Sequence, residues 1–115
     1  MIRVKRVYDP PQSEDGFRVL VERLWPRGMT REMAHLDLWL KEIAPSTSLR
    51  KWFAHDPVKW EGFKKRYEGE LSEKHDLVSS LTRKSRTIPV TLLFSAHDVQ
   101  HNSAVVLKGV LEKQP

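Results

Sequence analysis

The chain of 115 residues contains no cysteine. That excludes disulfides, cysteine-ligated zinc, iron–sulfur clusters and every thiol nucleophile together. Long apolar runs are missing too: the longest are about three to five residues, against the roughly 20 that a spanning helix needs. The start, MIRVKRVYDPP, is charged from residue 3 and lacks the apolar stretch of a secretory signal. No membrane partner is expected, and the cytoplasm is the expected compartment. Glycine is scarce, with five residues, and neither GxGxxG nor a P-loop pattern occurs. There is no GxSxG elbow and no HExxH. Nucleophilic and zinc-hydrolase chemistry therefore have no recognisable footing, and no cofactor is expected.

What is present fits one compact domain spanning residues 1–115. Hydrophobic residues make up 39% and charged residues 30%, a globular balance rather than a disordered or coiled-coil one. Twenty Lys and Arg against fifteen Asp and Glu leave +5, with a pI near 9.7. The excess is spread along the chain and forms no tail or block. It reads as mixed solvated surface, or as arginines lining a site for an anion.

Residues 2–8 alternate, with Ile2, Val4, Arg6 and Tyr8 on one strand face. Residues 17–24, FRVLVERL, carry apolar side chains on both faces, as a central strand covered by helices does. Trp25-Pro26-Arg27-Gly28 forces a loop, and Thr30 can cap a short turn over 31–34. Residues 36–43 fit both a strand and a helix; a strand followed by a loop is the preferred reading. Ser46 is placed to cap a short helix reaching Phe53. Asp56-Pro57 marks the start of a longer helix with the stripe Trp60, Phe63, Tyr67 and Leu71. Asp76 can cap a further helix to about 84. Residues 88–95 form another apolar strand, and a last helix runs from about Asn102 to Lys113. Strands alternating with helices give an α/β class: a single layered domain with a small, mainly parallel sheet flanked by helices.

In such sheets ligands gather beyond the carboxyl ends of the strands. The strands run out at Tyr8-Asp9, at Arg23-Leu24-Trp25-Pro26-Arg27-Gly28, at Ala44-Pro45-Ser46, and at Ser95-Ala96-His97-Asp98. Arg23 shares a face with Val19 and Val21, so its stem is expected to be partly buried. Its guanidinium then needs a salt bridge to Glu22, Asp9 or Asp98, or serves as a clamp for a carboxylate or phosphate. Arg6 poses the same choice. Arg27 sits in a tight loop that can aim it, and Gly28 allows close backbone approach. Trp25 is either a stacking surface for a ring or an apolar plug. Ser46, Tyr8, Asp9 and Asn102 complete the candidate binding set.

The densest polar cluster is His97-Asp98-Val99-Gln100-His101-Asn102. Asp98 and His101 are the candidates for acid–base work; the competing reading is capping of the last helix. His97 and His101 are four apart, but on a loop that spacing secures no metal geometry, and none is expected.

Taken together, FRVLVERLWPRG, LWLKEIAPS, LRKWFAHDP, WEGFKKRY and LLFSAHDVQHNSAVVL resemble the YeaO-like bacterial proteins, a branch of the domain-of-unknown-function family 488. The resemblance spans Val4 to Leu111. It implies a small cytoplasmic α/β domain of uncharacterised biochemistry, with motif positions here at Arg6, Tyr8, Asp9, Arg18, Arg23, Trp25–Gly28, Ala44–Ser46, Trp52, His55–Pro57, Asp98, His101 and Asn102. Two positions depart: the family commonly has Asp where this chain has Glu22, and often His where it has Ser103. If the family's chemistry depends on a short carboxylate at 22 or a second imidazole at 103, these two positions put this chain's activity in question. The leading expectation is a small enzyme or binding domain for an anionic small molecule. A nucleic-acid-binding or regulatory module, or a non-catalytic interaction protein, is the alternative, and no helix-turn-helix pattern favours the first of these.

Overall fold

Alternation marks β1 (Ile2–Arg6), and apolar runs buried on both faces mark β2 (Phe17–Leu20) and β4 (Val90–Phe94); β3 (Leu38–Trp39) is a two-residue edge strand. A computed structural model describes all residues from Met1 to Pro115. Every pairing is parallel and the order is β1-β4-β2-β3. Five helices complete the α/β fold: α1 (Arg31–Ala34), α2 (Thr47–Phe53), α3 (Trp60–Ser72), α4 (His75–Ser85) and α5 (Ser103–Glu112). No helix is long and apolar enough to cross a membrane.

Period-two alternation sorts the strand side chains onto two faces. Val19, Val21, Val90, Leu92 and Phe94 meet Phe63, Tyr67, Leu71, Leu107 and Leu111 in the larger core, under α3, α4 and α5. The aromatic stripe of α3 thus faces inward, except that Trp60 stays half-exposed at its start. Each such buried apolar side chain contributes about 1.5–3 kcal/mol. The opposite face holds a smaller core of Val7, Leu20, Met29, Ala34 and Leu93. Only α1 and loop segments cover it. The sheet is flanked by helices as expected, with the long ones sharing one face and the four-residue α1 on the other.

The second face also takes a buried polar cluster. Asp15 accepts from the Arg18 guanidinium at 2.5 Å and from Lys5 Nζ at 3.0 Å, and its backbone carbonyl accepts the Thr91 hydroxyl. Arg18 spends its other donors on the carbonyls of Ala34 and His35. Burial alone would raise the Asp15 pKa. The Gln12 N–H, Lys5 and Arg18 outweigh it and hold the carboxyl below its ordinary range.

Local signals set most boundaries. Thr30 caps α1, Ser46 caps α2 and Asn102 caps α5, each accepting from the backbone N–H three residues on. Four expectations need correction. The strand over 36–43 shrinks to Leu38–Trp39, because Leu40 leaves the extended region and Lys41–Ile43 turn as a 3-10 helix. Asp56-Pro57 opens a 3-10 turn, and the α-helix begins at Trp60. Asp76 lies inside α4, whose cap position is Lys74; its charge there suits the helix dipole. The ladder of β2 ends at Leu20, although Val21 N–H still reaches the Leu93 carbonyl.

Gly16 is required where it stands. It has φ +65° immediately before β2, and a Cβ there would collide with the Pro89 backbone.

Candidate functional site

Parallel pairing sends the chain off the same sheet edge after each strand, and a cavity of about 460 Å³ opens there. That is the size of an ordinary small-molecule pocket. The segments after β2, β3 and β4 form its walls, with the end of α2 and the start of α5 closing it.

Of the residues expected at a site, Tyr8, Arg23, Trp25, Arg27 and Asn102 border this cavity. Arg23 makes none of the salt bridges open to it. Its Nε donates to the Pro45 carbonyl at 3.3 Å and its Nη2 to the Ala44 carbonyl at 3.2 Å. Lys74 Nζ donates to the same Ala44 carbonyl at 3.0 Å, and burial, with the Arg23 charge, lowers its pKa. Tyr67 Oη donates to the Ile43 carbonyl at 2.7 Å, and burial pushes the Tyr67 hydroxyl pKa far up. Glu70 accepts from the Ser46 N–H and hydroxyl at 2.8 and 2.6 Å. Residues 43–46 are thus clamped along their backbone by Arg23, Lys74, Tyr67 and Glu70. Ala44 and Pro45 present that rigid segment to the cavity.

The loop after β2 is braced as firmly. Trp25 donates from Nε1 to the Met29 carbonyl at 2.6 Å and meets Trp39 edge-on, with centroids 5.3 Å apart. Trp39 Nε1 donates to the Glu22 carbonyl at 2.7 Å. Tyr8 Oη donates to the Arg27 carbonyl at 2.8 Å, and Gly28 turns with φ +76°. The Arg27 backbone is fixed while its guanidinium has no protein partner. Gly28 shapes this loop without bordering the cavity.

Three expected site residues have other employment. Arg6 donates to the carbonyls of Ala96 and Ser95 and lies over the Tyr8 ring, so it holds the end of β4. Ser46 caps α2. Asp9 is exposed and closes a turn through its N–H to the Arg6 carbonyl.

The Asp98–His101 pair also lies outside the cavity lining. Asp98 Oδ1 accepts from the N–H groups of Gln100 and His101, and Oδ2 lies 2.9 Å from His101 Nδ1. The Gln100 N–H above all, then the His101 ring, holds Asp98 below the usual carboxylate range. His101 sets its ring edge-on to Trp60 at 5.1 Å. Asn102 donates to the Asp98 carbonyl and caps α5. These residues build the turn into α5; the capping reading accounts for every bond they make. No group of three or more His, Asp or Glu side chains could hold a metal.

The cavity also gathers Glu22, Arg50 and His55, none of them among the expected binding residues: Glu22 stood out as a departure from the family pattern and His55 as a motif position, while Arg50 was not singled out. Arg50 rides on α2, and its guanidinium has no protein partner. His55 follows Ala54, and the two take φ +58° and +47°, consecutive left-handed residues without glycine. That conformation costs roughly 1–2 kcal/mol per residue and bends the chain back at the cavity lip. Glu22 Oε1 accepts from the Ser95 N–H at 3.0 Å and hydroxyl at 3.3 Å. Burial raises its pKa above the ordinary value, against the opposing pull of the Ser95 bonds and the charges of His55 and Arg50.

The family model described as "Inactive DUF488-N3 subclade" matches residues 1–115. This chain belongs to that subclade. It is 44% identical over 106 residues to the uncharacterized protein YeaO of Escherichia coli strain K12, covering 92% of each chain. It is 38% identical over 112 residues to the uncharacterized protein Rv3073c of Mycobacterium tuberculosis H37Rv, covering 96% of this chain and 92% of that one. An equal match is the uncharacterized protein Mb3100c of Mycobacterium bovis. No solved structure matches. The resemblance carried by the strand-end motifs holds over the whole chain.

Proposed function

We propose that the protein is a binding domain for a small anionic molecule bearing a phosphate or carboxylate, seated in the cavity at the carboxyl edge of the sheet. The observation that carries this reading is the gathering of Arg23, Arg27, Arg50 and His55 around one cavity, with two guanidiniums lacking any protein partner. A guanidinium fork matches carboxylate and phosphate oxygens. The start of α5 adds N–H groups that the helix itself leaves unbonded, a favourable setting for an anion.

Binding without turnover fits better than catalysis. Asp98 and His101, the acid–base candidates, border no part of the cavity. The word "inactive" in the family description supports the same side.

The test is a thermal-shift titration with inorganic phosphate against sodium chloride at equal ionic strength. Wild type is expected to gain about 2.7 kcal/mol of stability when phosphate reaches 100 times its Kd. Arg50→Ala, which removes an exposed side chain without a partner, is expected to melt at the wild-type temperature and to respond at least tenfold more weakly. An Arg50→Ala response equal to that of wild type, or no response in wild type, would refute the reading.

A further inference from the structure

Glu22 stands out once every charged side chain is matched to its partners. Elsewhere the protein pairs its buried charge: Asp15 has Lys5 and Arg18. Glu22 is desolvated by its surroundings, yet forms no salt bridge, although three arginines border the same cavity. Arg23 beside it turns to backbone carbonyls instead. The two oxygens of Glu22 also differ. Oε1 takes both bonds from Ser95, and Oε2 takes none. No buried side-chain oxygen or nitrogen in the protein lacks a partner. Oε2 of this half-buried residue is therefore reached by solvent, and Glu22 is one of the residues that border the cavity. Inside one pocket, a carboxylate oxygen and the guanidiniums of Arg27 and Arg50 are kept apart rather than neutralising one another.

A desolvated carboxylate held away from available cations is costly unless something else donates to it. The clamps described above keep it so: Ser95 fixes one oxygen, and residues 43–46 fix Arg23. We propose that Glu22 is the specificity residue of the cavity, its free Oε2 accepting a hydrogen bond from an ammonium or hydroxyl group of the ligand while the arginines hold the ligand's phosphate or carboxylate. The ligand class is thus an anion that also carries an O–H or N–H donor, such as an amino or hydroxy phosphate ester. Plain anions and simple alkyl phosphates fill only half of the site. This rests on the anion-binding reading of the same cavity.

Three probes of similar size separate the possibilities: ethyl phosphate, 2-hydroxyethyl phosphate and phosphoethanolamine, each titrated calorimetrically into wild type and into Glu22→Gln. The Gln variant keeps an oxygen for Ser95 and turns an amide N–H₂ toward the space that Oε2 faced. Reading the ratio between ligands within one variant removes any dependence on how well that variant folds. Wild type is expected to bind at least one donor-bearing probe about tenfold tighter than ethyl phosphate, as a charge-assisted hydrogen bond allows. In Glu22→Gln the ratio is expected to fall below about threefold. Preference for phosphoethanolamine assigns an ammonium, and preference for the hydroxyethyl ester assigns a hydroxyl. Equal affinity of all three for wild type, or a preference that survives in Glu22→Gln, would overturn the role of Glu22 while leaving the anion site intact. Binding of none would overturn both.

Discussion

Asp15 and Glu22 flank the same strand, β2, and the protein treats their carboxyls in opposite ways. Asp15 lies under the thinly covered face of the sheet with both oxygens engaged by Lys5, Arg18 and the Gln12 N–H. Its pKa is held down. Glu22 lies at the carboxyl edge with one oxygen engaged, no cation in contact and its pKa raised by burial. The first arrangement is closed: every donor around it is spent on the fold. The second is open on the side of the cavity. Burial alone does not mark a functional carboxyl; the distinction lies in whether the fold itself completes the charge's partners.

The contrast breaks first if Asp15 is not a structural partner. Removing one side of a buried ion pair strands the other, at about 3–5 kcal/mol. Arg18→Ala is therefore expected to lower unfolding stability by that order in urea titration. Arg50→Ala in the cavity is expected to change it by less than about 0.5 kcal/mol. Similar losses for the two would erase the distinction between closed and open charge.

The pH dependence sharpens it, because the two carboxyls act with opposite sign. The folded pKa of Asp15 is depressed. Its stabilisation is present above the ordinary carboxylate value and is lost as pH falls through the folded one. The folded pKa of Glu22 is raised. Its contribution is greatest below the ordinary value and is lost as pH rises through the folded one. Asp15→Asn is expected to flatten the acid limb of stability against pH. Glu22→Gln is expected to gain stability relative to wild type as pH rises from the ordinary carboxylate range through the raised pKa. Urea midpoints between pH 3 and 8 measure both, and slopes of the same sign would contradict the assignment.

The smallest effect concerns the cavity lip. Ala54 has φ +47° beside His55 at +58°. Ala54→Gly is expected to stabilise by up to about 1 kcal/mol, as relief of left-handed strain exceeds the entropy that glycine adds to the unfolded chain. A loss of stability in urea titration would show that the backbone there is not strained.

Much of this was legible along the chain. Thr30, Ser46 and Asn102 announce their helices because capping is a local bond, readable from residue type and spacing. The parallel sheet follows from strand–helix alternation, and with it the placement of Arg23, Trp25 and Arg27 at the edge where the cavity opens. Glu22, Arg50 and His55 were less visible. Arg50 enters the site only because α2 packs across the carboxyl edge, and the importance of Glu22 lies in which partners it lacks. The polar run 97–102 drew attention by density, yet residues so close in sequence mostly bond one another. The division of the sheet into a face under the long helices and one under α1 and loops is not marked in the strand pattern, since β2 and β4 are buried on both sides.

The most direct measurement is a phosphate titration followed by amide chemical shifts. Binding in the cavity predicts that residues 22–28, 44–46, 50–55 and 95–103 shift together and saturate with one Kd. It also predicts that the amides of the basic helix surfaces at Lys64, Lys65, Arg83 and Lys84 stay still. Weak shifts that never saturate and follow the exposed lysines and arginines across the whole surface would contradict it.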